Sequence, residues 1–190
     1  FRDRLRLTSR QVVNDPPPPA SVAETTWYAV DAADQRVRKL TRRQNGTRKE
    51  ERIYLDGFEL YRRYGGNGQD LALERQTLHV DDGRQRVALV EMRTIGDDGS
   101  PARLVRYQYG NHLGSATLEL SDGAAVISYE EYTPYGGTAW QANDRSLRAA
   151  AKRYRFSARE RDEESGLSSH GARYYASGLS RWLSCDPMGP

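Results

Sequence analysis

The residues of this chain that could do chemistry are few. Arg159-Glu160-Arg161-Asp162-Glu163-Glu164 places four carboxylates within five positions, and paired carboxylates can act as general acid and base. Alternating signs beside a Ser165-Gly166 turn describe a solvated ion-pair run better. On that reading Asp162 keeps an ordinary pKa near ~3.9 and stays ionised. His170 with Asp162 and Ser168 has the composition of a hydrolytic triad. No nucleophile elbow surrounds either of the adjacent serines, so a strand-and-turn region is the expectation.

Other motifs reduce to simpler readings. Arg36, Arg38, Lys39, Arg42, Arg43, Arg48, Lys49 and Arg52 form the densest basic stretch. Glu50 and Glu51 interrupt it and no aromatic is interleaved for base stacking. Gly65-Gly66-Asn67-Gly68 lacks the Lys-Ser/Thr of a phosphate loop. Asn45-Gly46-Thr47 fits a glycosylation sequon and equally a turn. His79, His112 and His170 are far apart, and Cys185 stands alone, which excludes an internal disulfide framework and a cysteine zinc site. The sequence therefore predicts no catalytic, metal or cofactor-binding residue of its own.

The elements that hold these residues are strands. Of 190 residues, 37% are hydrophobic. Including the 17 glycines, the apolar share is about 46%, as in a globular domain. Lys and Arg number 29 against 26 Asp and Glu, a net charge of +3, too even for a nucleic-acid partner. No run approaches a membrane span and no signal peptide opens the chain. It begins at Phe1, which predicts a fragment of something longer. Twelve Tyr against three Phe point to strands with one apolar and one wet side.

Asn14-Asp15-Pro16-Pro17-Pro18-Pro19-Ala20 reads as a stiff linker after a short lead-in. Beyond Thr25, Asp56-Gly57, Asp82-Gly83, Asp98-Gly99, Asn111-His112-Leu113-Gly114 and Asp122-Gly123 separate alternating segments, the pattern of an antiparallel meander. Val105, Tyr107 and Tyr109 fall on one face, Arg106 and Gln108 on the other. One short helix is expected near 144–152, capped by Asn143-Asp144 and running through Leu147-Arg148-Ala149-Ala150-Ala151. Tyr28–Val37 is echoed by His79–Val87 and more loosely by Leu120–Val126, each a strand, an Asp-containing turn and a return strand.

Those units resemble the YD repeats of Rhs proteins, with Asp34 in the slot of the repeat's Gly. Tyr107-Gln108-Tyr109-Gly110-Asn111-His112-Leu113-Gly114-Ser115 and Tyr132-Thr133-Pro134-Tyr135-Gly136 are similar to segments near the family's last repeats. Arg153-Tyr154-Arg155-Phe156 through Gly166-Leu167, then Gly171-Ala172-Arg173-Tyr174-Tyr175 and Arg181-Trp182-Leu183-Ser184-Cys185-Asp186-Pro187, resemble the Rhs repeat-associated core motif. The likeness is nearest to insecticidal toxin-complex C components. Ser168 and Ser169 stand where the family usually has aromatics, and Ser177-Gly178-Leu179-Ser180 where it usually has Pro-Trp-Leu-Gly. Each lost ring would remove ~2–4 kcal/mol from a packed core.

The resemblance implies an all-β fold: an antiparallel curved sheet of hairpins, part of a spiral shell, with one short helix. It implies a lead-in and linker over 1–24, a YD-repeat region over 25–138, a helical connection over 139–152 and a core motif over 153–190. It implies a non-enzymatic wall of a secreted bacterial toxin shell around a C-terminal toxin. Partners would be the rest of the shell, that toxin, and a toxin-complex B-like component or secretion apparatus, with no nucleic acid, membrane insertion or cofactor. The family's aspartyl self-processing makes Asp186 the one possible protease aspartate. An adhesive or carbohydrate-contacting β surface is the remaining reading. Three expectations follow: exposed sheet edges invite association, Tyr174, Tyr175 and Trp182 act by packing, and this chain does not cleave itself.

Overall fold

The structure is a computed structural model that describes residues 5–10 and 23–186. The proline-rich linker lies outside the described residues. Eleven strands, β1 (Leu7–Ser9), β2 (Thr25–Val30), β3 (Arg36–Arg42), β4 (Arg48–Leu55), β5 (Phe58–Tyr64), β6 (Leu71–Asp81), β7 (Arg86–Ile95), β8 (Arg103–Gly110), β9 (Ala116–Leu120), β10 (Val126–Tyr132) and β11 (Thr138–Asn143), form one sheet. Their order in space is their order in sequence and every neighbour is antiparallel, the expected meander. A second, three-stranded sheet joins β12 (Ser168–Ser169), β13 (Tyr174–Ala176) and β14 (Arg181–Trp182).

The turns follow the side chains that close them. In the β2–β3 hairpin, Asp31 Oδ1 accepts from the amides of Ala33 and Gln35, both at 2.9 Å. Asp34 takes φ +65° in the repeat's glycine slot, which aspartate tolerates better than most residues. Asp82 repeats the device toward Arg84 and Gln85. Asn45 likewise caps its own turn through Thr47. After Asp122-Gly123 the left-handed residue is Ala124, at φ +58°, rather than the glycine.

The sheet's two faces are assigned opposite to a simple apolar core. Arg106 and Gln108 lie on the covered face and are buried, whereas Tyr107 and Tyr109 are 44% and 54% exposed. Register explains this. Gln108 faces Glu119, and Glu119 faces Ser128 across the next strand. Glu119 is wholly buried and accepts from Arg106 Nη1 at 3.1 Å, Gln108 Nε2 at 3.0 Å and Ser128 Oγ at 2.8 Å. The opposite, open face carries the apolar rows Leu55–Phe58–Leu78–Val90–Val105 and Val80–Ala88–Tyr107–Leu120.

The helix expected over 144–152 shrinks to one 3₁₀ turn, Arg145–Leu147, capped by Asp144. Arg148 then turns left-handed and ends it, and the residues after it are bonded to the sheet. The Ala150 carbonyl accepts from Arg106 Nη2 at 2.6 Å, and buried Lys152 meets Glu130 at 3.1 Å and the Ala116 carbonyl. A helix would take that carbonyl for its own ladder, and so short a helix has little stability to compete with.

Residues 150–186 then form a hook laid against the sheet. Gly136, in the Tyr-Thr-Pro-Tyr-Gly segment, takes φ +77°, and a Cβ there would lie 2.6 Å from the Phe156 ring. Gly46 has the same sign of φ, +79°, with nothing near its missing Cβ. Gly136→Ala should therefore lower stability by about 1–3 kcal/mol. Gly46→Ala should cost only the backbone share, ~1 kcal/mol. Urea denaturation of both variants checks the difference.

Candidate functional site

The carboxylate run is buried in the hook, which corrects the expectation of a solvated surface. Asp162 is 0% exposed. Its two oxygens accept a bidentate pair from Arg36, each at 2.7 Å, and Lys39 Nζ adds a third bond at 3.0 Å. Arg36 also donates to Glu160 at 3.0 Å and to the Tyr174 hydroxyl at 2.6 Å. Lys39 reaches Glu164 at 3.1 Å, and that carboxylate accepts the Tyr28 hydroxyl. Strands β2 and β3 thus hold the hook more than 120 residues along the chain. Arg159 and Glu163 are exposed, so the run alternates between buried and wet positions.

A second knot adjoins the first. Glu160 accepts from Arg153 Nη1 at 2.6 Å and from the Tyr54 hydroxyl at 3.0 Å. Glu59 gathers Arg52 at 3.1 Å, His79 at 2.8 Å, Arg153 and the Tyr154 hydroxyl. Burial alone would raise the carboxyl pKa of Glu160, but Arg153, Lys39 and Arg36 outweigh it and hold the group below the usual glutamate range. Glu59 is held well below that range, burial being overcome by Arg153, the His79 bond and Arg52. At Lys152 burial prevails over Glu130 and lowers the ammonium pKa.

Further basic residues in and beside β3 and β4 are spent internally as well. Arg38 bonds Glu51 at 2.6 Å and Lys49 bonds Glu24 at 2.9 Å. Arg43 donates to the Tyr64 carbonyl at 2.6 Å, and Arg48 to the Gly68 carbonyl at 2.9 Å. Between the covered face and the hook lies a cleft of about 350 Å³, lined by Glu50, Arg63, Glu91, Lys152 and Arg153 among others.

The triad is not assembled. The His170 ring packs edge-on against Trp182 at 4.9 Å and Tyr175 at 6.2 Å. Its Nε2 is buried with no hydrogen-bond partner among the described residues. Burial, then Arg159 and Arg173, lower its pKa to about 4. Asp186 is exposed and pairs with Arg173 at 3.2 Å. Both oxygens of Asp162 are taken by Arg36 and Lys39.

Tyr174 and Tyr175 are half-buried, and the Tyr175 ring packs 5.2 Å from Trp182. Trp182 remains 40% exposed, with Arg173 over its ring at 4.1 Å. Ser168 and Ser169 pair with Tyr175 and Tyr174 and complete the small sheet without aromatics of their own. Sequence reasoning missed Arg36, Lys39, Glu59 and Arg153 as the organising residues. Local sequence marks only Arg153, beside Tyr154 and Arg155; Arg36, Lys39 and Glu59 are identified by partners far along the chain.

No protein-family model matches the chain. Toxin subunit YenC2 of Yersinia entomophaga is 36% identical over 168 residues, covering 85% of this chain and 17% of that protein. Toxin subunit YenC1 of the same organism is 38% identical over 176 residues, covering 88% and 17%. The crystal structure of TcdB2-TccC3-TEV superposes with a TM-score of 0.85 at 31% identity, over 99% of this chain and 9% of that one. The Photorhabdus luminescens Tc holotoxin pore gives 0.84 at 30% identity, over 99% and 8%. The chain spans about a sixth of the curated relatives' length.

Asp162→Asn should cost about 3–5 kcal/mol, because it strands the charges of Arg36 and Lys39. Arg36→Met combined with Asp162→Leu should recover much of that loss, and urea midpoints at pH 7 read both. The acid response should have two parts. His170 has a folded pKa depressed from 6.5 to about 4, so its contribution is complete above 6.5 and is lost as pH falls toward 4. Glu160 and Glu59, also depressed, contribute fully above 4.5 and lose that contribution as pH falls further. His170→Phe should remove the upper part of the decline in thermal midpoint and leave the lower part.

Proposed function

Since this chain is an Rhs/YD-repeat segment homologous to the toxin-complex C components, we propose that it supplies the last turns of a secreted toxin's β-shell wall. The observation that carries this reading is a single-layer sheet with a charged covered face, matched over 99% of the chain by the TcdB2-TccC3 complex. A wall built this way does its work by shape and closure, with no substrate to turn over. The hook crosses the covered face, so polypeptide following the core motif would start from that side. Partners on this reading are the remainder of the shell, a TcdB2-like component and an enclosed C-terminal toxin.

Asp186 supports a second role in the same shell, an aspartyl self-processing element. It is exposed and pairs with Arg173 at 3.2 Å. A carboxyl to serve as the acid must come from elsewhere, because Asp162 is fully engaged. Intact-mass time courses from pH 4 to 8 on this chain and on Asp186→Asn should show no fragment from either.

Replacement of the matching segment of TccC3 by this chain tests the wall reading. The chimera should fold and co-purify with TcdB2 at a yield within about twofold of the parent, because an obligate interface depends on shape complementarity that a shared fold preserves. A folded chimera that fails to associate would contradict it.

A further inference from the structure

Arg86, at the start of β7, breaks the rule the other inward cations obey. Arg36, Arg52, Arg106 and Arg153 each meet a carboxylate at 3.1 Å or less. The Nε and Nη1 of Arg86 are buried with no hydrogen-bond partner among the described residues. Its guanidinium lies 3.8 Å from the centroid of the Tyr154 ring. That stacking offsets part of the desolvation but supplies no acceptor for an N–H. Burial lowers the guanidinium's pKa despite Tyr154, Asp81 and Glu59. A buried charge without a hydrogen-bonded counter-charge is costly.

Arg86 borders a cleft of about 230 Å³ between the sheet and the hook. Tyr54, Tyr154, Tyr174, Ala158 and Ala172 wall it, with Arg159 also on the lining. The walls are already committed. Tyr54 donates to Glu160 at 3.0 Å, Tyr154 donates to Glu59, and the Tyr174 oxygen accepts from Arg36 at 2.6 Å. Glu160, also on the lining, is taken by Arg36 and Arg153. Asp34 lines the cleft too and has an interaction of its own. Arg159 is exposed and makes no side-chain ion pair among the described residues. Among the described residues the cleft therefore holds one guanidinium with two buried nitrogens that meet no hydrogen-bond acceptor, and a second cation in reach of water.

We propose that this cleft is a binding site for a single carboxylate group, held by the N–H groups of Arg86 and assisted by Arg159. One carboxylate matches one guanidinium whose buried Nε and Nη1 lack an acceptor. A phosphate dianion would bring a second charge that only the exposed Arg159 could meet. The Nε and Nη1 of Arg86 are buried, and a bond made there is stronger than one in water. The carboxylate can be a free small acid or an acidic side chain on a polypeptide, and the cleft has room for a group of glutamate size.

The test uses the whole 190-residue chain with sodium acetate and a capped single-glutamate peptide, each against sodium chloride at equal ionic strength. Acetate should raise the thermal midpoint saturably, by about 2–4 °C over chloride, and shift the Arg86 Nε–H resonance. Arg86→Met should raise the probe-free midpoint and abolish the response, and Arg159→Ala should weaken binding several-fold. Tighter binding of the peptide assigns a polypeptide-borne carboxylate, and equal binding assigns a free acid. No shift of the Nε–H signal or midpoint beyond chloride would overturn the proposal, as would a response that survives in Arg86→Met. Should Arg86→Met fail to fold, the Nε–H signal of the unaltered chain still decides.

Discussion

The structure depends on the requirement that a charge removed from water meet an opposite charge. Asp162 is the point where that requirement is tightest. It is wholly buried, and the bidentate Arg36 with Lys39 makes its burial tolerable. The same requirement repeats along the covered face, where Glu119 and Glu130 are also fully buried. Glu130 accepts from Thr138 at 2.7 Å, Tyr132 at 3.0 Å and Arg155 at 3.1 Å, beside Lys152. An apolar hook could slide across an apolar sheet. A forked guanidinium donates to a carboxylate along fixed directions, so these pairs fix where the hook lies.

This arrangement leaves apolar rows on the open face and charged residues beneath the hook. Isolated buried pairs add little net stability, because desolvation consumes most of their attraction. Their contribution here is to position. Glu160 and Glu59 are both tied to Arg153, and through it the hook registers against β5 as well as β3. In a wall of one layer, such ties replace the second sheet that a sandwich would use for its core.

Much of the sheet was legible in the sequence. Alternation and Asp-Gly turns located the hairpins, and Asp34 occupies a left-handed position where the repeat has glycine. Alternation also separated Tyr107 and Tyr109 from Arg106 and Gln108, but a period of two says only that faces differ. Which face is covered depends on Glu91 and Glu119, on neighbouring strands, and on the Ala150 carbonyl. The hook was harder to read. Arg159 through Glu164 looks solvated because its partners Arg36 and Lys39 lie over 120 residues away. Alanine-rich residues 147–152 signal helix locally, and tertiary bonds to the sheet override that propensity.

The central claim is that buried ion pairs fasten the hook to the sheet as one cooperative unit. Native-state amide hydrogen exchange at pH 7 tests it most directly. The amides of Arg161, Asp162 and Ser169 are bonded within the hook, to the carbonyls of Arg153, Leu167 and Glu160 at 2.8–2.9 Å. They should open with the same free energy as the amides of β5 to β8. Rapid exchange at those three positions, while the central strands stay protected, would show a hook that is not fastened and would contradict the account.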